Sequence, residues 1–275
     1  MFSQSEPTIF ASRATELIVA ACQSASRSVV LLPALYCCDV AAAIEEAGLE
    51  YRCYDVPSSL SSTTPLLETA YGPDIGTVVV LHPFGLARPP IDLALPEETL
   101  IVEDACHALR TSINIPALGS IGQITIFSPR KEFGWSEGGI ATGPLSAVLK
   151  QRVNPAPQVA HRWRQCDISP LAHVGLCATR AAVAALGDKL PTIVDGEVAS
   201  VLPLKSDRRD ATIERLRENG FEAWRWLRPL KHTGPAQTPE AWKLLQKLLL
   251  VPLSAGAEFE RLLDLLSDEP LESWC

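Results

Sequence analysis

The chain has 275 residues, 47% of them hydrophobic and 20% charged, with a formal net charge of -8. This composition excludes a disordered chain, and the length suffices to bury one large core or two unequal ones. The acidic excess argues against an electrostatic nucleic-acid surface, which needs clustered Lys and Arg, and leaves small molecules or protein as the expected partners.

The N-terminal Met1-Phe-Ser-Gln-Ser-Glu-Pro7 lacks the basic region and apolar run of a secretory signal, and no apolar stretch approaches the length of a membrane span. A cytoplasmic protein without a membrane partner is expected. Eight cysteines, at 22, 37, 38, 53, 106, 166, 177 and 275, include no C-x-x-C pair and read as reduced core thiols. From Ser12 to Cys22, Ala14, Leu17, Ile18 and Ala21 fall on one helical face. A helix start led by a hydroxyl offers N–H groups and a positive dipole end to a phosphate, although ordinary N-capping explains Ser12 equally well. The runs 28–32, 77–81, 99–102 and 123–127 are apolar on both faces, as in strands of a parallel or mixed sheet covered by helices. Between the first two lie a helix over Asp39–Gly48 with a glycine stop and a Pro/Ser/Thr-rich loop from Pro57 to Pro65.

After Gly143 the texture changes, through Asn154-Pro-Ala-Pro157 and the cluster His161-Arg-Trp-Arg164. From Val201 a compact unit follows: a strand over Val201–Leu204, a helix over Arg209–Asn219, a Trp-rich strand from Phe221 to Leu227 and a final helix over Glu258–Leu266. The expected organisation is therefore an α/β large domain over residues 1–165 and a smaller α+β domain over 166–275.

Two segments carry the chemistry. Asp104 ends a strand, where open α/β sheets hold their ligands. A carboxylate there can keep a pyridine nitrogen protonated, since a negative neighbour favours the cationic form; alternatively it caps a helix beginning Ala105-Cys-His-Ala-Leu109. His107, one helical turn on, either hydrogen-bonds or stacks on a ring, or is a histidine satisfied within that helix. Zinc held by Asp104, His107 and His82 would lack any familiar ligand spacing. Cys106 as a nucleophile or metal ligand is weighed against a small buried packing residue. Lys131 follows the strand ending at Phe127, beside Arg130 and ahead of Gly138 and Gly139. An imine-forming lysine must be available uncharged, which a cationic neighbour or desolvation promotes; the plainer reading is a basic loop tip. Acid, histidine, serine and lysine together are what a pyridoxal phosphate site needs.

In this order the segments resemble the DegT/DnrJ/EryC1/StrS family of pyridoxal-phosphate aminotransferases. Glu103-Asp-Ala-Cys-His-Ala108 is similar to the family's E-D-A-A-Q/H-A, Gly119-Ser-Ile-Gly-Gln-Ile-Thr-Ile-Phe-Ser128 to its G-S-x-G-D-x-x-x-F-S, and Lys131 keeps the family spacing to Glu137-Gly138-Gly139. The resemblance implies a three-layer αβα large domain of aspartate aminotransferase fold type I with a smaller C-terminal α+β domain, and pyridoxal 5'-phosphate as cofactor. It implies Lys131 as the cofactor-bearing lysine and proton shuttle, Asp104 on the pyridine nitrogen, His107 against the ring, and Ser128 with Ser12-Arg13-Ala14 on the phosphate. His82, Gly85 and Val251-Pro-Leu253 echo further family elements. The implied activity is transfer of an amino group from glutamate to a nucleotide-linked keto-sugar in a homodimer, with the stretch His161–Arg164 as the region shared between subunits.

The departures are equally visible. Ser128 and Lys131 are three positions apart, as in a divergent S-P-R-K branch, and the ring-stacking aromatic aligns with Cys37, leaving Tyr36 one position early as the candidate ring contact. The chain is also shorter than is usual for the family. A shortened non-catalytic relative and a pyridoxal phosphate enzyme of another reaction type are the alternative readings; in family dehydratases the lysine gives way to histidine, so Lys131 counts against dehydration.

Overall fold

The computed structural model describes residues 7–60, 64–87, 94–115, 118–226, 228–253 and 257–274. Its first part comprises β1 (Ile9–Ala11), α1 (Ala14–Ser24), β2 (Val29–Pro33), α2 (Cys38–Glu46), β3 (Glu50–Tyr54), α3 (Thr64–Ala70), β4 (Ile75–Leu81), β5 (Leu100–Asp104), α4 (Thr111–Asn114), β6 (Ile124–Phe127), α5 (Pro129–Phe133) and β7 (Gly139–Thr142). There follow α6 (Pro157–Gln165), α7 (Ser169–Leu186), β8 (Val201–Lys205), α8 (Arg209–Glu218), β9 (Trp224–Arg225), α9 (Pro239–Lys247), β10 (Leu248–Pro252) and α10 (Ala257–Ser267).

Seven strands make one mixed sheet in the order β1-β7-β6-β5-β4-β2-β3. β3, β2, β4, β5 and β6 run parallel, and β7 and then β1 close the edge antiparallel. The doubly apolar runs follow from this position. Leu17, Ile18 and Ala21 of α1 and Val40 and Ile44 of α2 pack with Val30, Leu32, Val79 and Val102 on one face. Val29, Leu31, Val78 and Val80 meet Leu67, Leu244 and Leu245 on the other. Each such side chain removed from water contributes roughly 1.5–3 kcal/mol, which is why both faces must be covered.

A second sheet, β8-β10-β9, is antiparallel and packs its own cluster of Leu202, Leu204, Leu249 and Val251 with Ile213 of α8 and Leu262 and Leu266 of α10. Among the described residues α7 alone is long and apolar enough to cross a membrane by composition; in the fold it packs on α4 and α10. The expected boundary between residues 165 and 166 falls between α6 and α7.

Two expected elements differ. The helix over Ala105–Leu109 is absent: Ala105 N–H stays in the sheet ladder on Ile126 O at 2.9 Å, so the chain leaves β5 extended and turns only in steps before α4. The Trp-rich strand shrinks to Trp224–Arg225, because only these residues find partners, at Leu250 and Leu249 of β10; Leu227 lies outside the described residues. The helix Asp39–Gly48 appears as α2, and the helices over 209–219 and 258–266 appear as α8 and α10.

The two sheets are joined where Gly85 passes under residues 198–200. Ser200 N–H donates to Phe84 O at 2.7 Å, and Val198 N–H donates to Thr111 Oγ1 at 2.8 Å. Gly85 has φ +91, and a Cβ on it would lie 2.1 Å from Val198 O. Gly85→Ala is expected to cost roughly 2–4 kcal/mol, from left-handed backbone strain and overpacking together. A urea midpoint equal to that of the parent chain would show that this contact does not hold the two sheets.

Candidate functional site

The site lies at the carboxyl ends of β2, β5 and β6, where the chain, having placed β3 on one side of β2, places β4 on the other. Such a switch in strand order leaves a crevice between diverging loops. Asp104 closes β5 and is 5% exposed. Its Oδ1 accepts the N–H of Cys106 at 3.0 Å, and its Oδ2 accepts the hydroxyl of Tyr36 at 2.8 Å. The capping expectation is thus met only as a single turn.

Lys131 stands on the helical turn α5, just past Ser128, and its Nζ lies 2.6 Å from Nε2 of His107. Burial, reinforced by the Lys131 charge and only partly offset by Asp104, pushes the His107 imidazole down to about 3, so the ring is neutral. An ammonium at Lys131 donates to Nε2, which puts the ring proton on Nδ1. That Nδ1 is buried without a hydrogen-bond partner. His107 is therefore not satisfied within a helix.

The segments expected at a phosphate, Ser12-Arg13-Ala14 and Ser128, lie close to one another. Gly138 N–H donates to Ser12 O at 2.7 Å, and Arg13 and Gly138 form a parallel bridge. A Cβ on Gly139 would lie 2.6 Å from Ala14 N, so only glycine allows β7 to run against the start of α1. Arg13 is the N-cap of α1, and no side chain caps this end. Ser12 therefore does not act as a cap, and a helix start without a side-chain cap is a place that suits an anion. Ser128 is buried, with its hydroxyl reaching Gly138 O at only 3.4 Å.

Two expected roles change. Tyr36, expected to touch a cofactor ring, is 1% exposed with its hydroxyl committed to Asp104, because it follows β2 on the face packed against α1. Cys37, the position counted for a stacking aromatic, is the N-cap of α2. Cys106 is buried and its thiol is pushed well up, mainly by burial, which suits packing and not nucleophilic attack. Among the described residues no group of three or more metal-binding side chains is gathered, and His82 gives Nε2 to Glu103 at 2.9 Å.

Three contributors were not read from the sequence. Glu103, fully buried, accepts the N–H groups of Gly119, Ile121 and Gly122 at 3.0, 2.8 and 2.6 Å as well as His82. Adjacent acids on a strand point to opposite faces, a period-two signal that marks Glu103 as needing partners of its own. Glu132 pairs with Arg110 Nε at 2.5 Å, bracing α5 beside Lys131. Trp226, from beyond β9, sets its ring edge-on to Phe84 at 5.1 Å and to His107 at 6.4 Å, with Nε1 buried and unpartnered. Nothing local in the sequence could bring Trp226 to His107.

No protein family matches the sequence, and no curated protein is similar to it. Solved structures are similar in fold. A DegT DnrJ EryC1 StrS aminotransferase from Brucella abortus is 17% identical, with 94% of this chain and 84% of that chain covered and a TM-score of 0.76. A Streptococcus pneumoniae protein assigned as a sugar aminotransferase, in its PMP form, is 15% identical over 96% and 86% of the two chains, with a TM-score of 0.75. DesI, in the presence of its TDP-sugar product, is 18% identical over 94% and 79%, with a TM-score of 0.70. At these identities the likeness is one of fold, and the fold is the aminotransferase fold type I that the motifs implied.

Burial opposes the charge on Glu103, but the His82 bond and charge and the N–H groups of Gly122 and Ile121 outweigh it, so the carboxyl lies below its ordinary value. A depressed carboxyl contributes stability above its unfolded value and loses it as pH falls through the folded value. Glu103→Ala should therefore cost roughly 3–5 kcal/mol near neutrality, as when one partner of a buried pair is removed. The difference from the parent should narrow below about pH 4, in line with the ordinary carboxylate range. Denaturation at several pH values checks this; a difference independent of pH would show that the charge is not what Glu103 contributes.

Proposed function

We propose that the protein is a pyridoxal-phosphate-dependent aminotransferase that moves an amino group from glutamate to a nucleotide-linked keto-sugar. The observation that carries this reading is the gathering of Asp104 and His107, from the turn after β5, with Lys131 of α5, beside a helix start without a side-chain cap that is pinned by Gly138 and Gly139. Similar folds of sugar aminotransferases, one of them with a TDP-sugar product and another in PLP and PMP forms, support it.

The residues fit the cofactor on chemical grounds: an unpartnered polar atom on His107, an amine beside it, an acid at the strand end and a start of α1 without a side-chain cap. Bound there, pyridoxal phosphate supplies an aldehyde for amine capture and a ring that withdraws electrons. Lys131 Nζ would hold the cofactor and, once displaced by the incoming amine, would take the proton from the substrate carbon that bears the amino group. Neutral His107, unable to compete for that proton, orients Nζ and offers Nδ1–H to a ring oxygen. Asp104 would keep the pyridine nitrogen protonated, and Ser128 with the stretch Ser12-Arg13-Ala14 at the start of α1 would hold the phosphate. Residues 1–165 form the domain that carries these groups, and residues 166–275 bring Trp226 over the site. The protein works as a homodimer, with Arg162 and Arg164 of exposed α6 serving the shared region.

Borohydride reduction of the protein loaded with pyridoxal phosphate, followed by peptide mapping, should label Lys131. A label on another lysine sinks that role, and no cofactor uptake at all favours the reading as a non-catalytic relative, which the missing ring-face aromatic at Cys37 would suit. Asp104→Asn should slow single-turnover transfer from glutamate by roughly a hundred- to a thousandfold with the fold intact, as for other placed electrostatic groups. Unchanged turnover would leave Asp104 a turn-forming residue.

A further inference from the structure

We propose that Tyr36 is a positioning residue: its buried hydroxyl locks the Asp104 carboxylate in the one orientation that presents it to the pyridine nitrogen of the cofactor. This rests on the functional reading above. The geometry gives Asp104 two fixed donors, Cys106 N–H on Oδ1 at 3.0 Å and Tyr36 O–H on Oδ2 at 2.8 Å. The first comes from Asp104's own turn and moves with it. The second comes from the end of β2, two strands away across β4, and ties the carboxylate to the sheet.

A carboxylate can turn about its last bond at little cost, so a single local donor leaves its plane loosely set. A second donor, held in the buried core cluster with Cys22 and Cys106 near the phenol, removes that freedom. Each oxygen keeps a further lone pair, so the hydroxyl does not exhaust the acceptor that the cofactor needs. Tyr36 also cannot give up its proton: burial first, and then the Asp104 charge, hold the phenol well above its ordinary value. It therefore donates at every working pH. Cys22 and Cys106 lie near the phenol, Cys37 and Lys131 stand near Cys106, and His107 lies near Asp104; the Cys106 thiol also bears on the carboxylate, but from within Asp104's own turn, whereas Tyr36 donates to it from across the sheet. Precise placement of an acid is the kind of support that rigid neighbours supply to a site.

The test compares two ligands. Pyridoxal phosphate and its carbocyclic analogue, in which CH replaces the ring nitrogen, are titrated into the parent protein and into Tyr36→Phe, with binding followed by tryptophan fluorescence. Loss of the hydroxyl should weaken pyridoxal phosphate by about two- to tenfold, the range of one hydrogen bond, and leave the analogue unchanged. In an Asp104→Asn background, Tyr36→Phe should add little, because its target is gone. Equal weakening of both ligands would mean that Tyr36 merely shapes the site, and no weakening of either would mean that it does nothing for Asp104; each outcome overturns the inference while leaving the aminotransferase reading standing. A parent protein that binds neither ligand overturns both. Should circular dichroism show Tyr36→Phe unfolded, Tyr36→Met, a flexible filler without a donor, takes its place in the same comparison.

Discussion

Two acids in succession at the end of a buried strand set the terms for everything around them. Side chains alternate across β5, so Glu103 and Asp104 face opposite layers, and each must find its own donors away from water. Glu103 takes three backbone N–H groups from residues 119–122 and the ring of His82, and so fixes the approach to β6. That approach ends at Ser128 and Lys131. Asp104 takes Tyr36 and the turn at Cys106. One acid thus builds the scaffold, while the other is held at the strand end near His107.

A second constraint is steric. β7 can run beside the first turn of α1 only because position 139 lacks a Cβ, and the same approach leaves the helix start without a side-chain cap. An anion is a natural complement to a helix start without a side-chain cap, through the dipole of the helix. The pairing of Gly138 with Ser12 and Arg13 brings residue 12 and residue 138 to one place, which puts Ser128 and the start of α1 within one site.

Burial then sorts the titratable groups. His107 is forced neutral, the thiol of Cys106 and the phenol of Tyr36 are held protonated, and Asp104 is served by donors. The division leaves a neutral ring against Lys131 and a carboxylate nearby.

The sequence by itself determined the layered α/β class, the strands β2, β4, β5 and β6, the helices α2, α8 and α10, and the placing of Asp104 and Lys131 at strand ends. Those features rest on periodicity, glycine stops and motif spacing, all of them local. The role of Tyr36, the partners of Glu103, the loss of the helix after Asp104 and the arrival of Trp226 over His107 were decided only by the tertiary structure. In each case the deciding contact joins residues that are distant in the chain: Tyr36 with Asp104, Glu103 with His82, Ala105 with Ile126, and His107 with Trp226. A pattern of neighbours in sequence carries no record of which strands will lie side by side, and it is that order in the sheet that chose these partners.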